Sequence, residues 1–429
     1  MASPARRVAL DVLARTRRGG ATLADALSGA DVAALEPRER GLLHELVLGT
    51  LRRRGWLDHV LQALAERPLA RTPAGLRDVL RLGAYQLLFL RVPDHAAVSE
   101  SVELARSVAA RGAGFVNAVL RRLQREGAPA EPDPEKEPLA WLTTAGSLPR
   151  WLAERWLERG GAEEAVARAR ALLEAPPVHL RFNPRVADAA EQAARAGILT
   201  RPTDVPEAWE ATQGRPGELA SRGVLHVQDA GSQLVARLAL APGSVLDACA
   251  APGGKALLLA DRHEGGGPVV AADVSPRRLA TLAELRSRWG ASRLHVVAAD
   301  AERPPFARPF DAVLLDAPCS GLGTLARHPD IRWRTRPDDL PRHAEKQRRL
   351  LAALAPLVRA GGRLVYAVCS VEDEEGPGVL SPFLAAHPEF RAEAPPDWAD
   401  AFVEGPFVRM SPARHRGDAF FAARLVRDG

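Results

Sequence analysis

Lysine is almost missing from this 429-residue chain: of 58 basic side chains only Lys136, Lys255 and Lys346 are lysines. Cysteine is equally scarce, at three residues, and aromatic residues make up 5%. Three cysteines, none at metal-ligand spacing, exclude a disulfide framework and a zinc site; no metal is expected, and a reducing cytoplasm is the compartment that fits. No apolar run is long enough to span a bilayer, so no membrane partner is expected. Arg6-Arg7 stands where an export signal would begin, but Asp11, Arg15 and Arg17 interrupt the stretch that follows, which argues against secretion. The G-x-G-x-x-G fingerprint of a dinucleotide enzyme is also absent.

The rare residues that remain are unevenly placed. An arginine-for-lysine bias explains the composition, and chance survival on a solvated surface suits Lys136 and Lys346. Lys255 is different. It closes a glycine turn, where a compact ammonium enters a site that a planar guanidinium cannot. Each cysteine lies in a short segment with its own chemistry: Cys249 in Val245-Leu-Asp-Ala-Cys-Ala-Ala-Pro-Gly-Gly-Lys255, Cys319 in Asp316-Ala-Pro-Cys-Ser-Gly321, and Cys369 in Leu364-Val-Tyr-Ala-Val-Cys-Ser370. The first reads as a strand entering a glycine-rich turn, the other two as apolar strands ending in a thiol. Two thiols at strand ends beside such a turn suggest covalent chemistry next to a bound cofactor.

Charge divides the chain. Residues 1–125 hold 20 arginines against 12 acids, a net of +8, and the remainder carries −3 of the total +5. A basic module joined to a near-neutral one points to a polyanion partner, although solvated arginine-rich helices give the same count.

Residues 1–125 read as helices throughout, with Val98, Val102, Ala105 and Val108 on one face and Phe115, Val119, Leu120 and Leu123 on another. The outer faces should carry the arginines. From Gly127 to about Pro149 the chain is rich in glutamate and proline and reads as a linker. An amphipathic helix with Trp151, Leu152, Trp156 and Leu157 opens a small α+β segment reaching about Gly223. Its Arg181 and Asn183 are candidates to extend a nucleic-acid surface; its tryptophans are better suited to packing. Strands are then expected at Ser244–Cys249, Val269–Val274, Leu294–Ala299, Phe310–Leu315, Arg363–Val368 and Ala419–Val426, separated by helices. This alternation implies a mostly parallel sheet with ligands at the carboxyl ends of its strands. The expected domains are therefore 1–126, a linker at 127–148, 149–223, and 224–429.

In the turn Ala250-Ala-Pro-Gly-Gly254 the backbone can come close to a ligand. Asp273, ending the next strand, can accept hydrogen bonds from ribose hydroxyls, and Asp300 can meet an adenine edge. Proline within the turn favours a nucleoside cofactor without a pyrophosphate, such as S-adenosylmethionine, over a nicotinamide one. Ordinary strand-end acids are the plainer account of Asp273 and Asp300 taken singly.

Taken together, Asp247-Ala-Cys-Ala-Ala-Pro-Gly-Gly-Lys255, Asp316-Ala-Pro-Cys-Ser-Gly321 and Tyr366-Ala-Val-Cys-Ser370 resemble the motifs of bacterial RNA cytosine-5 methyltransferases of the Nop2/Sun family. Val227–Leu234 and Gly417–Leu425 resemble segments near the two ends of that family's catalytic domain. The helical part, with Phe115-Val-Asn-Ala-Val-Leu-Arg121, resembles a NusB-type RNA-binding domain. The resemblance spans nearly the whole chain. It implies an α/β fold: a Rossmann-like class I S-adenosylmethionine methyltransferase domain preceded by a small α+β segment and an all-α NusB-like domain. It also implies 16S ribosomal RNA as partner; nothing requires a dimer, and a monomer is expected. The implied cofactor set is Cys249, Ala250, Ala251, Pro252, Gly253, Gly254, Lys255, Asp273, Arg278, Asp300, Ala301 and Asp316.

Carbon 5 of cytosine is a poor nucleophile until a thiolate adds at carbon 6. The resemblance implies Cys369 as the attacking thiol and Cys319 as the group assisting breakdown of the adduct, with Asp316 at the cytosine ring and Lys255 favouring the thiolate. Cys249 is better suited to packing. Two departures stand out: Val368 replaces the family's usual threonine before the second cysteine, and Ala419 replaces a glycine. A non-enzymatic RNA-binding factor and a DNA cytosine methyltransferase, which would use the Pro-Cys thiol as nucleophile, are the competing readings.

Overall fold

The computed structural model describes residues 2–19 and 22–429. The chain divides into two compact units, one comprising residues up to Ala175 with Leu325–Arg334, the other Pro176–Thr324 with Thr335–Gly429.

The first unit is helical. Its main helices are Pro4–Arg17, Pro37–Arg52, Arg54–Leu64, Ala74–Phe89, Asp94–Val108 and Ala113–Glu126. Leucines at helical spacing (Leu43, Leu46, Leu57, Leu61, Leu80, Leu104 and Leu120) are fully buried between them. Val98, Ala105, Val119, Leu120 and Leu123 are buried as their spacing predicts, but Val108, in the last turn of its helix, is 40% exposed. Arginines do not lie only on outer faces. Arg6, Arg52 and Arg81 are buried, Arg6 donating to Gln86 Oε1 (2.7 Å) and Arg81 forking onto Asp58 (2.7 and 2.8 Å).

The boundaries of this unit differ from those expected. The segment read as a linker holds a helix, Pro138–Thr143, whose Trp141 and Leu142 are buried. The helix Arg150–Leu173, broken at Gly161, packs with the helical unit rather than opening the α+β segment, and Trp156 is buried with the Arg168 guanidinium over its ring. Arg332 explains why a distant stretch of chain returns here. It is fully buried and donates to the carbonyls of Leu325 and Ser147 (both 3.1 Å), Arg52 (3.4 Å) and Leu172 (3.5 Å). With carbonyl partners and no carboxylate among these bonds, burial, reinforced by Arg52 and Arg53, pulls its pKa down to about 9.

The second unit opens with a four-stranded antiparallel sheet of β1 (Val178–Phe182), β2 (Leu199–Pro202), β3 (Trp209–Gln213) and β4 (Leu225–Val227), in the order β2-β3-β1-β4. Arg181 and Asn183 are 3% exposed. Arg181 pairs with buried Asp261 and lies over the Trp289 ring, while Asn183 Nδ2 donates to the Gly223 and Trp289 carbonyls. Their polarity serves the interior, so they do not form a nucleic-acid surface.

The large sheet contains β5 (Val245–Asp247), β6 (Val269–Asp273), β7 (Leu294–Ala298), β8 (Phe310–Asp316), β9 (Val358–Val368), β10 (Phe390–Glu393), β11 (Val403–Glu404), β12 (Phe407–Met410) and β13 (Phe420–Arg427). Its order is β11-β12-β13-β9-β8-β5-β6-β7, with β10 on β13. The strands from β9 across to β7 pair in parallel, whereas β10 to β13 are antiparallel. All six expected strands are present; β10, β11 and β12 are additional, and the sheet is mixed. The chain leaves β5 first toward β6 and β7, then returns to β8 on the other side. The carboxyl end of β5 is thus a switch point, where a parallel sheet opens a crevice.

Candidate active site

The turn after β5 is shaped by one backbone requirement. Gly253 has φ 117°, and a Cβ there would come within 2.8 Å of Leu282 Cγ, so a side chain is excluded by both conformation and space. The helix Gly254–Arg262 starts immediately afterwards and places Lys255 in its first turn. Asp273, at the end of β6, secures the turn from the side: Oδ2 accepts from Ala251 N (3.2 Å) and Oδ1 from Ser275 N (2.9 Å). Arg278 donates to the Ala251 carbonyl and lies 3.4 Å from Asp273. Ala250 and Ala251 are buried, Pro252 is exposed.

Three charged groups meet under this turn. Lys255 Nζ donates to Asp316 Oδ2 at 2.6 Å, at the end of β8, and lies 5.5 Å from the centre of the Phe420 ring. Asp247 is fully buried, and its carboxylate has no side-chain hydrogen-bond partner, only the Cys249 backbone N–H beside it. Burial, with Asp316 adding to it, raises its pKa from 3.8 to about 7. A shift of that size corresponds to about 4 kcal/mol against the ionised form. Burial alone would lower the pKa of Lys255, but Asp316, Asp247 and Cys369 outweigh it and hold the ammonium charged. Cys249 sits beside these acids; burial, then Asp247 and Asp316, push its thiol up to about 12, so it stays protonated.

The two other thiols come together at the neighbouring strand tips. Cys319 follows β8, Cys369 follows β9 directly, and their sulfurs lie 3.3 Å apart. The β8 loop is fastened to the β9 main chain: Ala317 N donates to Ala367 O (2.8 Å) and Gly323 N to Cys369 O (2.9 Å). Ala419 N in turn donates to Gly323 O (2.8 Å). A Cβ on Gly323 would stand 2.2 Å from Ala419 O and 2.8 Å from Cys369 O, so this three-way backbone contact requires glycine. The hydrogen bond with Cys369, then burial, raise the Cys319 pKa well above its usual value. A Lys255–Asp316 pair and two touching thiols under a glycine turn can activate a sulfur nucleophile and hold a proton beside it.

Comparison with known proteins bears on this arrangement. The description "16S rRNA methyltransferase RsmB/F" matches residues 237–426, and that of the NusB family matches residues 3–125. The chain is 36% identical over 416 residues to a probable ribosomal RNA small subunit methyltransferase B of Bacillus subtilis, covering 92% of each. It is 36% identical to the ribosomal RNA small subunit methyltransferase B of Pseudomonas putida, covering 98% of each. The chain belongs to the RsmB/F family of small-subunit rRNA methyltransferases. Among solved structures, that of PH0851 covers 99% of both chains, with 27% identity and a TM-score of 0.78.

Within this RsmB/F methyltransferase the fold brings Lys255, Asp316, Cys319 and Cys369 together, with Cys249, Ala250, Ala251, Gly253, Gly254, Asp273 and Arg278 around the turn. Asp300 and Ala301 follow β7 at the strand tip next to Asp273, where Ala299 N donates to Asp273 O (3.1 Å). Asp300 is exposed and accepts from Glu302 N (2.9 Å), while Ala301 is buried. Val368 is fully buried, opposite Phe421 across β9 and β13, within an apolar cluster. Its side chain belongs to the core, so valine suits the position and no hydroxyl is missed there. The segments 227–234 and 417–425 meet, Asp418 N donating to Asp229 Oδ2 at 3.3 Å. Among the described residues no group of histidines, cysteines and acids can hold a metal, and no helix is long and apolar enough to cross a membrane.

Sequence reasoning missed Asp247 as an ionisable group, Gly323, and the buried pair Gln347 and Glu375. Glu372 and Glu375 lie in an acidic run that reads as solvent-facing, yet both are buried. Their spacing of three was the one available sign.

Proposed function

We propose that this protein methylates carbon 5 of a cytosine in 16S rRNA, with S-adenosylmethionine as methyl donor, through a covalent bond between Cys369 and carbon 6. The observation that carries the reading is the 3.3 Å approach of the Cys319 and Cys369 sulfurs beside the Lys255–Asp316 pair. A pure RNA-binding factor needs neither.

The turn fits the donor. Asp273 Oδ1 and Oδ2 each accept one backbone N–H and retain lone pairs for ribose hydroxyls. When bound, S-adenosylmethionine supplies an activated methyl group. The protein's own groups do the rest. The Cys369 thiolate adds to carbon 6 and the electron pair of the 5,6 double bond moves toward carbon 5, with Asp316 hydrogen-bonding the ring. The Lys255 ammonium brings a positive charge to the site, the kind of neighbour that activates a thiol. Carbon 5 takes the donor's methyl group, with S-adenosylhomocysteine as leaving group; water then accepts the carbon 5 proton, the double bond re-forms and the Cys369 sulfur leaves as thiolate. Cys319 stands against the departing sulfur and assists this release. The resemblance of the Cys369 segment to the family's nucleophile motif favours Cys369 over Cys319 as attacker and so disfavours the DNA-enzyme assignment. The exposed arginines of the helical unit, Arg121 and Arg125 among them, suit an rRNA backbone.

Methyl transfer to a 16S rRNA transcript and to DNA of matching sequence, followed by nucleoside mass spectrometry, tests the reading. 5-Methylcytosine in the RNA alone is the expected product; methylation at another atom, or of DNA, rejects it.

A further inference from the structure

Behind the thiols lies a buried polar network that the chemistry above does not use. Glu375 is fully buried; its Oε1 accepts from Ser320 N (2.8 Å) and its Oε2 from Ser320 Oγ (2.5 Å). Gln347 Nε2 donates to the same carboxylate (3.2 Å) and to the Pro318 carbonyl (3.1 Å). Both peptide neighbours of Cys319 are therefore held, Pro318 through Gln347 and Ser320 directly. Tyr366, three residues before Cys369 on β9, closes the network: its hydroxyl lies 2.5 Å from the Glu375 carbonyl oxygen and 3.0 Å from Gln347 Oε1. Ser320 Oγ also reaches Ser370 Oγ, next to Cys369, at 3.4 Å. Glu375 thus holds the loop that bears Cys319 through its carboxylate and meets Tyr366 of β9 through its main-chain carbonyl.

We propose that Glu375 is a positioning residue that holds the Cys319 thiol against the Cys369 sulfur and thereby sets the rate of adduct release. The inference rests on the covalent reading of the site given above. Glu375 touches neither thiol in any hydrogen bond of the network and has no part in attack. Cys369 follows β9 directly, and the ladder pairs of that strand, up to Ala367 with β8 and Val368 with β13, hold its base without Glu375. Cys319 lies beyond the end of β8 and depends on the Glu375 and Gln347 bonds on either side of it, besides the Gly323 fastening. The carboxylate's charge also helps keep Cys319 protonated, after the larger effects of Cys369 and burial. Removing the carboxylate leaves buried donors on Ser320 and Gln347 unpaired, which frees the loop to shift.

The test uses full-length protein, a 16S rRNA transcript and S-adenosylmethionine, with the covalent adduct read by denaturing electrophoresis and the cofactor affinity by calorimetry. Glu375→Ala should form adduct within about threefold of the wild-type rate but release it about 100-fold more slowly, the scale of misplacing a reacting group by 1 Å. Glu375→Gln should largely restore release, because its amide oxygen still accepts from Ser320 N. In a Cys319→Ala background, Glu375→Ala should add nothing, since both changes remove the same contribution. Wild-type release in Glu375→Ala, additive slowing in the double variant, or loss of cofactor binding in both Glu375 variants overturns the proposal. If Cys319→Ala traps adduct and Glu375→Ala does not, the positioning role alone falls. If Cys319→Ala traps none, the covalent reading falls and takes this inference with it.

Discussion

The two halves of the site are built by different means. At the tips of β5 and β6 the geometry is local: Gly253 turns the chain, Asp273 ties down Ala251, and Lys255 opens the next helix, all between Ala251 and Asp273. At the tips of β8 and β9 it is long-range. Cys319 and Cys369 are 50 residues apart in sequence, and their meeting depends on Gly323, Ala419, Gln347, Tyr366 and Glu375. A site built locally is set by a few adjacent residues and serves to bind. A site assembled from distant segments is sensitive to small shifts, and reaction rates register such shifts more strongly than affinities do.

That contrast can be broken in order of effect. Cys369→Ala should lower methyl transfer by at least about 10⁴-fold, the scale of deleting a covalent nucleophile, while calorimetry finds the cofactor affinity unchanged. Lys255→Ala, at the junction of the halves, should lower the transfer rate by about 100-fold, the usual loss for a preorganised charge at a reacting centre. Asp273→Ala should weaken S-adenosylmethionine binding by about tenfold, as expected for one or two lost hydrogen bonds, and leave the rate at saturating cofactor nearly intact. Equal affinity in that variant removes Asp273 from the cofactor contacts.

The smallest effect concerns Asp247 and pH. Its folded pKa is raised from 3.8 to about 7, so its contribution is most favourable below pH 4 and is lost as pH rises through 7. Asp316 and Asp273 oppose its ionisation and Lys255 favours it. Asp247→Asn should therefore melt at least about 2 °C above wild type at pH 8.5 without cofactor, the difference shrinking toward pH 5. Melting curves that differ equally at both pH values contradict a strained carboxylate.

The two halves also differ in how far the sequence reveals them. The glycine turn, Lys255, the two thiol-bearing motifs and six strands could be read because each is a short pattern with a local cause; what holds the two thiols together could not. The antiparallel strands β10 to β12 could not, since their short runs carry little periodic signal and are fixed by pairing with β13. Arg332 and Arg181 look like surface charge in sequence; only the carbonyls and the Asp261 carboxylate that surround them make them interior residues. Glu375 is hidden for the same reason. Its acidic neighbours suggest solvent, while its partners come from three other segments. Burial of a charged group is a tertiary property, and local pattern has no access to it.

As proposed, the two adjacent thiols divide attack from release. Incubating the Cys319→Ala and Cys369→Ala proteins with 16S rRNA transcript and S-adenosylmethionine, then separating them by denaturing electrophoresis, tests it directly. A protein–RNA band that accumulates with Cys319→Ala and is absent with Cys369→Ala is the predicted result. A band with Cys369→Ala and none with Cys319→Ala contradicts it.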